Sequence, residues 1–387
     1  MFKSVPFSYS VRSLLVRKLT TFFTVFGLAL VVFVFSTVLM LDKGLEETVV
    51  STGERDNLIV TRRGSSSEVQ SAITKEQASI ISQIKGIASI PEPKVSNETV
   101  VLINLQKKKG STSNVVIRGL KHSGIELRRN FTLDQGSLFR EGTNEVIVGR
   151  AIAKRFGGLK IGEIIKFGGE IWRVVGYFRT NNNGFESEIW TSNDVLMQVF
   201  KRNTYSTVLL NLTDVSKGRR IKDTIDKDVR LPLRAKFERS FYEESSAALS
   251  KFITILGVTL TVIFSIGATI GAMITMQAAV MNRTTEISTL KALGFSKLQI
   301  MITFLFESFV LSLMAGVLGI FLASFFSNVE FSTSNFQSFA ELAFKFSMDS
   351  SIVLTAFLLA LFMGVIGGLI PAFYATKIKI TEGLRSV

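Results

Sequence analysis

The 387-residue sequence has no cysteine, a single histidine (His122) and no Gly-x-x-x-x-Gly-Lys-Ser/Thr stretch. The first absence excludes disulfides and thiol chemistry, so the chain must be held by its own packing. The second leaves no His/Glu or Cys cluster with metal-ligand spacing, and a lone histidine in a polar loop reads as a surface residue. The third excludes ATP binding by a phosphate loop in this sequence. Gly157-Gly158 and Gly168-Gly169 read as turns, not phosphate cradles. No nucleophile, base and orienting group can be assembled, so no catalytic residue and no metal site are assigned.

What is abundant is apolar. Hydrophobic residues make up 47% of the chain, and mean hydropathy is positive, which places it among membrane proteins. Leu19 to Leu41, Phe252 to Asn282, Leu298 to Val329 and Ser350 to Thr376 each exceed the roughly 20 residues that a bilayer crossing needs. Only the third contains a charge, Glu307. The first run follows Lys3, Arg12, Arg17 and Lys18 but is longer than a signal peptide's apolar stretch of roughly 7 to 15 residues, so it reads as a retained anchor.

Basic residues beside spans resist translocation. The arm 1–18, the connection 283–297 with Arg283, Lys291 and Lys297, and the tail 377–387 with Lys377, Lys379 and Arg385 are net positive and are expected in the cytoplasm. The loop 330–349 sets Glu330, Glu341 and Asp349 against Lys345 and is expected outside. The sequence therefore predicts four transmembrane helices (19–41, 252–282, 298–329, 350–376) and a large extracytoplasmic domain, 42–251, inserted between the first two. That domain is itself basic, which suits a solvated surface, anionic lipid headgroups or an acidic partner.

Within 42–251 the patterning is α+β. Strands are predicted at Asn57 to Arg62, Thr99 to Leu105, Asn114 to Arg118, Ser206 to Leu212 and Leu231 to Phe237. Glu163 to Phe167 and Glu170 to Val175 flank Gly168-Gly169 as a hairpin, and a turn at Lys107-Lys108-Lys109-Gly110 joins two of the strands. Thr74 and Gln77 form a capping box for a helix to about Ile84. Further helices fit Ala151 to Phe156, Ser192 to Phe200 and Asp214 to Lys227, and strand signals resume after Pro91 and Pro93. Two lobes with a boundary near Gly119 to Gly142 are expected. The loop Arg179 to Phe185, with three consecutive asparagines, reads as a solvated turn, with an outer contact as the alternative. Lys43 to Ser51 and the stretch from Ser240 should continue the first and second spans as helical stalks.

The most informative segment is Met281 to Phe295, a charged, helix-prone piece between two apolar runs, whose natural use is contact with a soluble partner. Gly267 and Gly271, and Gly364 and Gly368, stand four apart on one helical face and read as close-packing sites. An ionised Glu307 must face protein, water or the interface, so snorkelling or a bond to a neighbouring helix is expected, with a proton relay as the sharper alternative.

The order of one span, large outer domain and three spans, with Arg283-x-x-Glu286-Ile287-x-x-Leu290-Lys291-Ala292-Leu293-Gly294 after the second span, resembles the FtsX-like or MacB-type permeases of ABC transporters, the mechanotransmission (type VII) class. Phe304-Leu305-Phe306-Glu307-Ser308 with Gly316 and Gly319, Ile370-Pro371-Ala372 and Leu384-Arg385 support it. So do Asn144-Glu145-Val146-Ile147-Val148-Gly149 and Val174-Val175-Gly176 in the outer domain. The resemblance implies that Arg283 to Phe295 is a coupling helix resting on a separately encoded cytoplasmic ATPase, which carries ATP and Mg2+. It implies that Gly316 and Gly319 join the packing glycines, that two copies form a homodimer, and that the protein lies in a bacterial inner membrane with a periplasmic outer domain. Export through a tripartite assembly with a periplasmic adaptor and an outer-membrane channel is the leading implied function. Lipoprotein release by a permease that extracts lipid-anchored clients, and signalling to a cell-wall hydrolase, are the alternatives. Membrane lipid is an implied partner and nucleic acid is not.

Overall fold

The four apolar runs are helical almost throughout, because in hydrocarbon every peptide group must find its partner inside the segment; the third leaves the α-helix at Ser324 and continues as a 3-10 turn, Phe325–Asn328, and the fourth carries Pro371 within its helix. The computed structural model describes residues 16–87, 94–334 and 339–381. Lys3, Arg12, Pro91, Pro93, Leu384 and Arg385, invoked above, lie outside the described residues. The chain forms two compact units, one of Met1–Lys43, Phe252–Val329 and Phe346–Val387, the other of Gly44–Lys251 and Glu330–Lys345.

The first unit holds most of α1 (Lys18–Val50), the apolar part of α7 (Glu238–Met281), α8 (Thr284–Ala292), α9 (Lys297–Ser324) and α10 (Ser350–Lys377). Both expected stalks are present as helix: α1 runs on to Val50, and α7 begins at Glu238. At 1.5 Å per residue α7 is about 66 Å long, roughly twice the hydrocarbon thickness. The bundle core collects Leu28, Val32 and Leu311 with Ala29, Ala315, Ala356 and Ala360, and the alanines let the helices approach closely.

The second unit is built on a mixed sheet. Its strands are β1 (Asn57–Arg62), β2 (Ile73–Thr74), β3 (Val95–Gln106), β4 (Thr112–Leu120), β5 (Thr132–Gly136), β6 (Glu145–Gly149), β7 (Ile164–Phe167), β8 (Glu170–Arg179), β9 (Glu188–Ser192), β10 (Thr204–Tyr205), β11 (Thr207–Asn211) and β12 (Leu233–Phe237). The helices between them are α2 (Lys75–Ser82), α3 (His122–Glu126), α4 (Arg150–Arg155), α5 (Asn193–Val199) and α6 (Gly218–Lys227). Among the described residues the main sheet runs β12-β1-β11-β3-β4-β9-β6-β8-β5, with β7 on β8. The Thr74/Gln77 capping box is formed, and Gly168 and Gly169 both take positive φ, as a two-residue hairpin turn with the right twist demands.

Two cores divide this sheet. Leu58, Val60, Val208, Leu210 and Ala235 pack against Ile81, Ile221 and Ile225 of α2 and α6. Val101, Val115, Ile117, Val146, Val148, Trp172 and Ile189 pack against Ile152 and Leu196 of α4 and α5. The lobes do not divide near Gly119 to Gly142 as the sequence suggested. β3 serves both: Val95 to Glu98 pair with β11, and Thr99 to Gln106 with β4. The chain then returns to the first lobe through β11 and β12, so a boundary set by sequence order misses the shared strand.

The loop between the third and fourth helices is not a plain loop. It contains β13 (Glu330–Ser334) and β14 (Glu341–Lys345), an antiparallel pair that belongs to the second unit.

Candidate coupling site

α7 ends at Met281, and Arg283 leaves helical geometry before α8 starts at Thr284. α8 closes on Gly294, at φ +92°, where Phe295 N donates to Leu290 O (3.1 Å) and Gly294 N to Lys291 O (3.0 Å), a Schellman ending that favours glycine. Ser296 then caps α9, accepting from Gln299 N and receiving the Gln299 side chain on its own N–H. The turn chemistry on both sides fixes α8 as a short, separate helix.

Arg283 and Lys291 turn toward the neighbouring helices, whereas Glu286 and Lys297 stay exposed. Arg283 is buried, with Nη1 3.1 Å from Glu307 Oε2 and Nε 3.5 Å from Glu286 Oε2. Glu307, the lone intramembrane acid of the sequence, therefore has a cationic partner on the neighbouring segment, which removes most of the penalty for placing it in a span. Lys291 donates Nζ to Thr376 O (2.9 Å) and Ile378 O (2.5 Å), satisfying carbonyls at the end of α10 that no helical N–H can reach. Ile287 is buried with Val280, Ile300, Phe304 and Ala375. Leu290 is half-buried, whereas Glu286, Ala292, Leu293 and Gly294 are exposed, Leu293 at 67%. The arginine and lysine expected to reach a partner thus brace α8 against α9 and α10, and the outward surface is carried by Glu286, Thr289, Ala292 and Leu293.

The packing glycines fall into two groups. Gly316 faces Phe357 and Ala360, where an added Cβ would stand 3.1 and 3.2 Å away. Gly319 faces Ala29 O and the Val32 Cβ, both at 2.7 Å, and Gly364 and Gly368 lie against Ser308 and Ser312. Among the described residues Gly267 and Gly271 face nothing within 4 Å, so this pair makes no close approach to them. Gly257, against Val38, and Gly367, against Ala272, are close approaches that the spacing argument overlooked.

The second unit contains a buried ionic cluster that sequence reasoning missed. Arg118, at the end of β4, spends its five N–H donors on three carboxylates. Nε and Nη2 reach Glu188 (both 2.7 Å), Nη1 and Nη2 reach Glu68 (2.8 and 3.0 Å), and Nη1 also reaches Glu98 (2.8 Å). Arg128 adds a 2.7 Å bond to Glu98, and both guanidinium groups lie over the Phe185 ring, Arg118 at 5.2 Å and Arg128 at 4.6 Å from its centroid. Burial opposes the Arg118 charge, but Glu188 and Glu68 outweigh it and raise its pKa well above the ordinary arginine value. Burial likewise opposes Glu98 ionisation, and Arg128 and Arg118 reverse it, leaving that carboxyl below its ordinary value. The first turns of α7 complete the cluster: Tyr242 donates to Glu68 (3.4 Å), and Glu238 accepts from Asn57 Nδ2 and Glu54 N, both at 2.9 Å. The available signal was a charge at an inward position in an otherwise apolar strand, as in Val115-Val116-Ile117-Arg118.

The asparagine loop corrects the expectation of a solvated turn. Asn181 and Asn182 are exposed at positive φ, but Asn183 is buried, accepts from Thr180 Oγ1 (2.6 Å) and Phe185 N (3.0 Å), and donates to Ser51 O (3.3 Å). Gly184 N donates to Thr52 Oγ1 at 2.8 Å, so the loop holds the chain just past the end of α1. His122 is exposed, as expected, with Nε2 2.7 Å from Phe139 O.

Comparison with known proteins follows these divisions. Residues 21–227 match the MacB-like periplasmic core domain and residues 258–380 the FtsX-like permease C-terminal. The chain is 24% identical over 406 residues to a macrolide export ATP-binding/permease protein, MacB, of Psychrobacter cryohalolentis, covering 98% of this chain and 59% of that protein. To the MacB of Pectobacterium atrosepticum it is 26% identical over 411 residues, covering 98% and 60%. It thus spans about six-tenths of the length of these relatives. A crystal structure of the periplasmic region of MacB from Actinobacillus actinomycetemcomitans aligns with 52% of this chain and 96% of its own, at 11% identity and a TM-score of 0.38. With four helices able to cross a membrane, strands β1 to β11 of the mixed-sheet unit within the first match and α8 to α10 within the second, the chain belongs to the family of ABC transporter permeases with a MacB-like periplasmic core domain and an FtsX-like C-terminal region.

Proposed function

We propose that the chain is a permease subunit working by mechanotransmission. A separate cytoplasmic ATPase hydrolyses ATP with Mg2+, and the permease conveys that motion to its outer unit without opening a substrate path through the bilayer. The observation that carries this reading is the form of α8. It is braced inward by Arg283–Glu307 and by Lys291 on the end of α10, yet it presents Glu286, Thr289, Ala292 and Leu293 outward. A short helix with rigid backing and a small exposed apolar and acidic face suits a contact that must bear force. In this reading the termini and α8 are cytoplasmic, the outer unit is periplasmic, the membrane is a bacterial inner membrane, and a second copy completes a homodimer. The relatives' name, which speaks of macrolide export, favours export over lipoprotein release or hydrolase activation, and an adaptor and an outer-membrane channel are the partners this proposal adds.

The test is affinity purification of the full chain from native membranes in mild detergent, with identification of what accompanies it. An ATPase should travel with the wild-type chain. Combining Glu286→Lys with Leu293→Glu should lower its recovery about tenfold at unchanged permease level. Undiminished recovery would overturn the placement of the contact, and no ATPase with the wild type would overturn the coupling reading.

A further inference from the structure

The hairpin β13–β14 is more firmly seated than a connection between two spans requires. Five residue pairs zip it from Glu330↔Lys345 to Ser334↔Glu341. Ala340, just before β14, is buried against Val100 and Val116 of β3 and β4, and Leu342 and Phe344 are buried too. Glu341 is 4% exposed and lies between two cations from different elements, with Oε2 2.6 Å from Lys107 Nζ in the β3–β4 turn and Oε1 2.9 Å from Arg155 Nη1 at the end of α4. Burial raises the Glu341 pKa, but the bonds from Lys107 and its neighbours prevail and hold it below the ordinary value. Glu330 pairs with Lys154 at 2.9 Å, Ala343 N donates to Ser187 Oγ at 3.0 Å, and Asn114 Nδ2 donates to Phe339 O at 3.2 Å. Glu341 is buried while Lys107 and Arg155 are only partly so, and losing both cations would leave a desolvated carboxylate unpaired, which opposes separation of this seat.

The hairpin is joined by short stretches of chain to α9 on one side and α10 on the other. Those are the two helices that brace α8, α9 through Glu307 and α10 through the carbonyls that Lys291 caps. A continuous path therefore runs from α8 through α9 and α10 into the hairpin, and from Glu341 into the outer sheet at Lys107, Arg155 and Ser187. One end of the path is fixed by the buried Arg283–Glu307 pair and by Lys291 on the end of α10, and the other by the buried Glu341 carboxylate between Lys107 and Arg155.

Resting on the mechanotransmission reading, we propose that the Glu330–Lys345 hairpin is a third transmission link beside α1 and α7, with Glu341 as its positioning residue, and that it stays seated throughout the ATPase cycle. α9 and α10 then act on the outer unit directly, rather than serving only to support α7.

The absence of cysteine permits a direct test on the full chain with its ATPase in lipid nanodiscs, read by hydrogen exchange of β3, β4 and β9 with and without ATP. Glu341→Gln should retain ATPase binding and basal hydrolysis but reduce the ATP-dependent exchange difference about fivefold or more. The Ser187→Cys/Ala343→Cys pair, oxidised to a disulfide, should leave that difference intact in an otherwise wild-type chain and restore it to the Glu341→Gln background, with restoration lost on reduction. A full difference in Glu341→Gln would overturn the link. So would an oxidised pair that abolishes the difference in the wild-type background, a result that does not depend on how well Glu341→Gln folds. Failure of the wild type to bind an ATPase would instead sink the coupling reading, and the link's role with it.

Discussion

Glu238 opens α7 well ahead of the apolar run that starts at Phe252, and it is buried near Arg128 and Glu98, with Asn57 and Glu54 N bonded to its carboxylate. Burial pushes its pKa up to about 7, more than Arg128 and its two hydrogen bonds can pull it down. Its consequence for stability has a definite sign. The folded chain binds a proton between about 4.5 and 7 that the unfolded chain has released, so the stability this creates is full below about 4.5 and is lost as pH rises through about 7. Glu98 has the opposite sign: its folded pKa is lowered, so its contribution is present above the unfolded value and disappears in acid. Glu238→Gln keeps the size of the side chain and an oxygen that can accept from Asn57 and Glu54 without ever ionising. It should flatten the fall in stability between pH 5 and 8 and make the chain more stable than wild type at pH 8, by on the order of a few kcal/mol at most. Thermal unfolding of the detergent-purified chain across that range is the measurement. Parallel pH profiles for the two proteins would mean that Glu238 is ionised in its buried place.

At the scale of elements, the glycines separate helix contacts made inside the chain from those available outside it. Gly364 and Gly368 stand against Ser308 and Ser312 of α9, so a larger residue must force α9 and α10 apart at a cost of about 1–3 kcal/mol. A Cβ at Gly267 or Gly271 meets no atom of the described residues within 4 Å, so a larger side chain there begins in open space. Gly368→Ile should lower the unfolding temperature of the isolated chain and Gly267→Ile should not, whereas Gly267→Ile should weaken any dimer that uses this face. Cross-linking in membranes together with thermal unfolding in detergent separates the two effects. Undiminished dimer with Gly267→Ile would leave that face to lipid. These elements also show what could be read in advance. The four spans, both stalks, the Thr74 capping box and the Gly168-Gly169 hairpin follow from local periodicity and turn chemistry, which need no distant partner. The fate of Arg283 and Lys291 could not be read that way, because their partners, Glu307 and the end of α10, are supplied by other helices. For the same reason the Arg118 cluster, assembled from three strands, a short turn and α7, was invisible. The β13–β14 hairpin is hard to read for a different reason: its alternation, Glu341-Leu342-Ala343-Phe344-Lys345, spans only five residues, too few for a strong periodic signal.

For the whole molecule, the proposed function depends on which side of the membrane α8 and the outer unit occupy. The charge argument is specific. The short segments on one side of the spans, 1–18, 283–297 and 377–387, are net positive, and 330–349 on the other side is net negative. The outer unit is basic as a whole, but long translocated domains escape the rule, so its charge does not count against this orientation. The argument is also consistent with the hairpin: Glu330 to Lys345 folds as part of the same unit as Gly44 to Lys251, so both must lie on one side. With no cysteine to remove, a single thiol reports its own location. Val229 is fully exposed in the outer unit, and Leu293 is 67% exposed at the end of α8. In intact spheroplasts a membrane-impermeant maleimide should label Val229→Cys and leave Leu293→Cys unlabelled until the cells are lysed. The reverse pattern would put α8 outside, away from any cytoplasmic ATPase, and the coupling mechanism could not operate. Labelling of both before lysis would show that the two sites share a side, which an odd number of crossings between them forbids.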